Sequence, residues 1–110
     1  MPLIKRRSKR VKVNLPIFVD AGHLNDEATL IEISTEGCSL KSSMDLNTST
    51  NLLLTFYRRK DDGISYWKYT PVSAKIIYKA KSSSRGFFKY GFQFNTAITE
   101  SHGIKSIIDN

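Results

Sequence analysis

The chain holds a single cysteine, Cys38, among 110 residues. That excludes an internal disulfide and fits a reducing compartment. Histidine is nearly as scarce: His23 and His102 stand far apart, and without clustered ligand spacing they offer no metal site. No apolar stretch approaches the roughly 18 to 20 residues that span a bilayer. Residues 11–19 are broken by Lys12, Asn14 and Pro16, so no signal-peptide core is expected there. A soluble, cytoplasmic protein without membrane insertion is the expectation. Also missing are a glycine loop to cradle phosphate and any triad pattern; Asp61 and Asp62 read as a turn pair, and Cys38 has no evident base beside it. Neither an enzyme nor a catalytic residue is expected. With no internal repeat and no linker, the chain reads as one domain, long enough to bury a core without staples.

What the chain does have is charge concentrated in one place. Residues 1–12 carry Lys5, Arg6, Arg7, Lys9, Arg10 and Lys12 and no acidic group. The net charge is +7, so the remainder holds 11 basic and 10 acidic residues and is close to neutral. A near-neutral body with a basic arm points to an anionic partner captured at that end. Arginine's planar fork grips phosphate bidentately and stacks on flat rings, so Arg6, Arg7 and Arg10 are phosphate or nucleobase candidates. A solvated tail, or a hook for any polyanion, accounts for the same charges. Residues 1–12 are thus expected to be a flexible arm, and residues 13–110 a single domain.

Period-two alternation dominates that domain. Val11, Val13, Leu15, Ile17 and Val19 share one parity, as in a half-buried strand; Pro16 places it at an edge or a bulge. Residues 20–26 read as a loop, residues 29–34 as a strand, and Thr35, Glu36 and Gly37 as a turn leading into residues 38–40. Residues 52–57 form a further strand that ends in a charged turn at 58–63. The stretch from 64 to 81 must break at Pro71, after which Val72, Ala74, Ile76 and Tyr78 are expected on one face. Residues 82–86 make a hairpin tip, and Phe88, Tyr90, Phe92 and Phe94 form a heavy apolar stripe. Only the end changes period: Ile104, Ile107 and Ile108 at i, i+3, i+4, with Thr99 as a plausible N-cap, predict a short covering helix. Many short strands with regular turn signals predict a small antiparallel barrel or sandwich.

The second informative segment spans residues 30–37. On a regular strand Ile31 and Ile33 face the core, while Glu32 and Ser34 present a carboxylate and a hydroxyl outward. Gly37 lets the chain reverse and a ligand approach the backbone. An ordinary strand and turn accounts for the same residues. Trp67 and Tyr78 are candidates to stack on a base, against packing roles for both.

Taken together, Arg6-x-x-x-Arg10, an alternating strand and then Glu32-x-Ser34-x-x-Gly37 resemble the PilZ domain family, whose pattern is Arg-x-x-x-Arg followed by Asp/Asn-x-Ser-x-x-Gly. Tyr90-Gly91-Phe92-Gln93-Phe94 is similar to that family's closing strand. The resemblance implies a mostly β fold, a six-stranded antiparallel barrel with a short C-terminal helix, that binds the bacterial second messenger cyclic di-GMP and has no other cofactor. It implies Arg6, Arg10, Ser34 and Gly37 as motif positions, with Arg7 an added basic contact. Glu32 departs from the pattern: it still accepts hydrogen bonds, but it is longer by a methylene and places a negative charge near an anionic ligand. The expected mechanism is that the ligand neutralises the arm and folds it against residues 32–37, changing a surface that a downstream protein partner reads. The expected state is a monomer or weak dimer. Two alternatives stand beside this: a PilZ-like interaction module that has lost nucleotide binding, and a small basic barrel for single-stranded nucleic acid, which the near-neutral body disfavours.

Overall fold

Each alternating stretch becomes a paired strand, because alternation lets one face be buried while the other stays wet. The computed structural model describes residues 10–47, 51–96 and 105–108. Among these run β1 (Val11–Asp20), β2 (Asn25–Ile33), β3 (Gly37–Ser42), β4 (Asn51–Arg59), β5 (Tyr66–Lys68), β6 (Val72–Lys81) and β7 (Phe88–Phe94), then one helical turn, α1 (Lys105–Ile108). Antiparallel pairing follows the order β1-β2-β3-β7-β6-β4, and β1 also pairs with β4. Six strands therefore close into a barrel. β5 pairs only with the far end of β4, through Tyr57, Arg58 and Arg59, and extends it as a short ribbon.

Both prolines in the strand region fall where a missing N–H is tolerated. Pro16 lies after a bulge between Lys12 and Leu15 and before β4 joins β1 at Ile17. Pro71 separates β5 from β6. β1 begins at Val11, so Val11 and Lys12, counted with the arm on charge alone, are already strand residues facing Ile33 and Glu32 of β2. The β1–β2 loop is tighter than expected: Asp20 pairs with Asn25, and the Ala21 N–H donates to the Leu24 carbonyl at 2.8 Å.

The core is the inner face of the barrel. Ile17, Val19, Leu30, Ile33, Leu40, Leu54 and Phe56 are fully buried, and Tyr90, Phe92 and Phe94 fill the centre from β7. Each such side chain contributes roughly 1.5–3 kcal/mol of burial. Phe56 meets Phe94 edge-on at 5.8 Å. The buried Tyr90 hydroxyl donates to the Met44 carbonyl at 2.6 Å and accepts from the Leu46 N–H at 2.7 Å, so it pins the chain leaving β3. Ile107 and Ile108 of α1 are buried, as the helical spacing predicts; Thr99 and Ile104 lie outside the described residues. No helix among the described residues is long and apolar enough to cross a membrane.

Two expectations about facing are corrected by bulges. Leu30 and Ile33, not Ile31 and Ile33, face the core. The β2–β3 register passes from Leu30↔Leu40 to Glu32↔Ser39, so Ile31 is an extra residue turned out of the alternation. Likewise Val72, Ala74 and Ile76 are buried but Tyr78 is not. The β6–β7 register slips between Ile76 and Tyr78, which carries Tyr78 to the outer surface.

Candidate functional site

The outer ends of β1, β2, β3, β6 and β7 surround a cleft of about 410 Å³. Pairing of β1 with β2 brings the start of β1 beside Glu32: Lys12 lies opposite Glu32, and Arg10 precedes the strand by one residue. The Arg10 Nη1 donates to Glu32 Oε1 at 3.1 Å. With the two side chains 49% and 25% exposed, the pair contributes only about 0–1 kcal/mol to stability. Its importance is positional, since it holds a guanidinium at the cleft mouth.

The end wall is the β2–β3 turn, closed by Ser34. Its buried hydroxyl accepts the Glu36 and Gly37 N–H groups at 3.2 Å each and donates to the Gly37 carbonyl at 3.3 Å. The Ser34 N–H also donates to that carbonyl at 2.8 Å. One donor and two acceptor sites are all that a hydroxyl offers, so Ser34 spends its capacity shaping the turn. The turn in turn docks on β7: the Phe94 N–H donates to the Glu36 carbonyl at 2.9 Å. Gly37 is required by this docking rather than by a reversed backbone. Its φ is not positive, but a Cβ there would drive into the Phe92 carbonyl oxygen.

The opposite wall is aromatic. Tyr78 on β6 lies across from Gly91 on β7, and a Cβ on Gly91 would sit 3.0 Å from its ring. The glycine thus makes room for the tyrosine to lie flat on the strand. Tyr78 is 40% exposed beside Ile77 and lines the cleft together with Lys89 and Gln93. A guanidinium, a carboxylate, a turn and an exposed ring face one space, an arrangement suited to binding a planar, charged molecule.

Of the residues singled out on sequence, Arg10, Glu32, Ser34, Gly37 and the stacking candidate Tyr78 come together here. Arg6 and Arg7 lie outside the described residues. Lys89 and Gln93 are not legible as site residues in the sequence, because their place depends on the β6–β7 pairing; a glycine inside an aromatic strand is the available signal. Trp67 is on β5, away from the cleft, with the Lys60 ammonium 4.4 Å from its ring. Cys38 lines the cleft floor but is buried, and burial pushes its thiol well above the ordinary range, away from nucleophilic use. Among the described residues no group of three metal-ligating side chains gathers.

Comparison with known proteins gives the same fold. The family model described as PilZ domain matches residues 4–109. The structure is similar to that of the Bacillus subtilis inhibitor of motility (MotI/DgrA), with a TM-score of 0.72 at 10% identity over 97% of this chain and 49% of that one. It is similar to the Borreliella burgdorferi PlzA protein in complex with c-di-GMP, with a TM-score of 0.62 at 15% identity over 94% of this chain and 51% of that one. The PilZ domain of CeSA from a cellulose-synthesizing bacterium superposes with a TM-score of 0.59 at 16% identity, covering 93% of this chain and 96% of that one. The chain therefore spans about half the length of the first two proteins. No curated protein matches the sequence.

Proposed function

The chain belongs to the PilZ domain family, and on that footing we propose that it is a non-catalytic receptor that binds cyclic di-GMP in the cleft between Arg10, the 34–37 turn and Tyr78. The observation that carries the proposal is the convergence of the described motif residues on a single cleft that also presents an exposed aromatic face. The ligand has two phosphates and two guanines. An arginine fork matches either a phosphate or the O6/N7 edge of guanine, which is the work we give Arg10. The Glu32 carboxylate accepts from guanine N–H groups, and Tyr78 stacks on a base. Ser34 and Gly37 act by keeping the turn closed against β7. Arg6 and Arg7, on the arm that precedes the barrel, are assigned to the phosphates. Closure of that arm over the ligand changes the surface offered to a downstream protein, the receptor itself acting as a monomer or weak dimer. Lone, buried Cys38 fits a cytoplasmic setting.

Calorimetric titration of the whole chain with cyclic di-GMP tests this. Saturable heat is expected, and Arg10→Ala is expected to weaken binding roughly ten- to hundredfold, as for loss of about 1.5–3 kcal/mol in a charged hydrogen bond. A change below twofold removes Arg10 from the site.

One observation favours a second reading. The Arg10 guanidinium already has an internal partner in Glu32, where the family pattern has a shorter Asp or Asn. A member of the family that works through protein contacts without nucleotide would show that pairing permanently. Flat calorimetric traces at high micromolar cyclic di-GMP are its signature.

A further inference from the structure

Beside the first cleft, on the outer face of the barrel, lies a second concavity of about 430 Å³. Val13 and Ile31 give its floor an apolar patch, beside Asn14 and Thr29. Between the pairs Lys12↔Glu32 and Leu15↔Leu30, Val13 and Asn14 face the single residue Ile31, and on its other side Ile31 has no partner in β3. The bulge turns Ile31 outward, and Val13, though packed against the core, still lines the concavity beside it; both are half-buried. The rim is cationic: Lys41, Lys81 and Lys89 line it, together with Ser82, Ser83 and Ser84, and no Asp or Glu is among the described lining residues.

The arrangement is costly as it stands. Lys41 of β3 and Lys89 of β7 are direct cross-strand partners, a like-charge placement that destabilises a sheet. Lys81 is on the β6 strand paired to the other side of β7. None of the three forms an ion pair among the described residues. The Lys41 ammonium spends one donor on Ser84 Oγ at 3.3 Å and lies 5.4 Å from the Phe87 ring, which fixes the β6–β7 tip over the cleft. The basic arm is no counter-charge for such a rim, since residues 1–12 carry only positive groups.

We propose that this second cleft is a binding site for a small organic phosphate. Lys41, Lys81 and Lys89 receive the phosphate, the tip serines donate to it, and an apolar or flat body rests on Val13 and Ile31. A bound dianion turns the lysine repulsion into charge-assisted hydrogen bonds, and the apolar patch distinguishes an organic phosphate from the bare ion. The site does not depend on the cyclic di-GMP assignment. It shares only Lys89 with the first cleft, and that residue is left intact in the test.

The test is an NMR titration of the whole chain with phenyl phosphate, inorganic phosphate and phenol in parallel. Phenyl phosphate is expected to move the amides of Ile31, Ser83 and Ser84 saturably, at least tenfold more tightly than inorganic phosphate, with phenol inert. The double variant Lys41→Gln, Lys81→Gln is expected to lose at least tenfold in phenyl phosphate affinity. No saturable shift in the unaltered protein overturns the proposal without any variant. So does an equal response to phenol, or an undiminished response in a folded double variant. Co-flotation with phosphatidic acid vesicles that the double variant abolishes assigns the phosphate to a lipid headgroup; phenyl phosphate binding without flotation assigns it to a soluble metabolite. Failure of the nucleotide assignment would appear elsewhere, as silent Gly37 and Gly91 amides when cyclic di-GMP is added.

Discussion

Two hairpin turns of this barrel are closed by the same device and put to opposite uses. In the 34–37 turn a serine hydroxyl accepts two backbone N–H groups; in the β4–β5 turn the Asp62 carboxylate accepts the Ile64 and Ser65 N–H groups at 2.8 Å each. The first turn is half-buried and docked on β7, so its acceptor must be neutral, since a carboxylate there would carry a heavy desolvation cost. The second projects from the barrel with Ile64 83% and Trp67 52% exposed, where a charged acceptor is tolerated. Its two N–H bonds, with help from Lys60, hold the Asp62 carboxyl below the usual carboxylate range. The lesson is that a turn becomes part of a site through what it packs against. Closure alone leaves the β4–β5 turn a solvated tip.

The contrast can be broken most severely at Gly37. Gly37→Ala pushes a methyl into the Phe92 backbone and should cost about 3 kcal/mol or more of stability, seen as a lower urea midpoint; an unchanged midpoint would mean the turn is not docked as described. Next is the aromatic wall. Tyr78→Ala should leave stability nearly untouched while weakening cyclic di-GMP by about 1–3 kcal/mol, the worth of one stacked base; equal affinities by calorimetry would take Tyr78 out of the site. Smaller and of opposite sign is Glu32→Gln, which releases Arg10 and removes a negative charge from an anionic ligand's path. A gain of a few fold in affinity is expected, and a loss would make the Glu32 carboxylate an essential acceptor.

The smallest effect sharpens the difference between the turns by pH. A carboxylate lowered by folding contributes stability above its unfolded value and loses it as pH falls through its folded one. The Ile64 and Ser65 amide resonances should therefore titrate together in the acidic range, while those of Glu36 and Gly37 stay free of any Ser34 titration. Asp62→Asn should abolish the first response; persistence of the titration would refute the carboxylate's role.

The barrel was legible because alternation, turn residues and two prolines all act locally. Residues 30–37 and Arg10 were legible as a constellation through their spacing along the chain, and the β1–β2 ladder places Glu32 and Arg10 in contact. What escaped was every consequence of a bulge. One extra residue reverses the facing of all that follows it, and nothing around Ile31 or Ile77 announces it, so alternation alone places Ile31 inward and Tyr78 on the core face. In the sequence Ser34 reads as an outward hydroxyl, because the closed turn that consumes that hydroxyl exists only once residues 34–37 fold. Lys89 and Gln93 could not be found without knowing that β7 lies between β3 and β6.

Cyclic di-GMP is proposed to occupy the cleft between Arg10 and Tyr78. The most direct test is an NMR titration of the whole chain with that nucleotide. The Glu36, Gly37 and Gly91 amides and the Tyr78 ring are expected to shift together and saturate at one affinity, while Gly63 and Trp67 remain still. Saturable shifts confined to the β4–β5 ribbon, or none at all, would contradict this assignment.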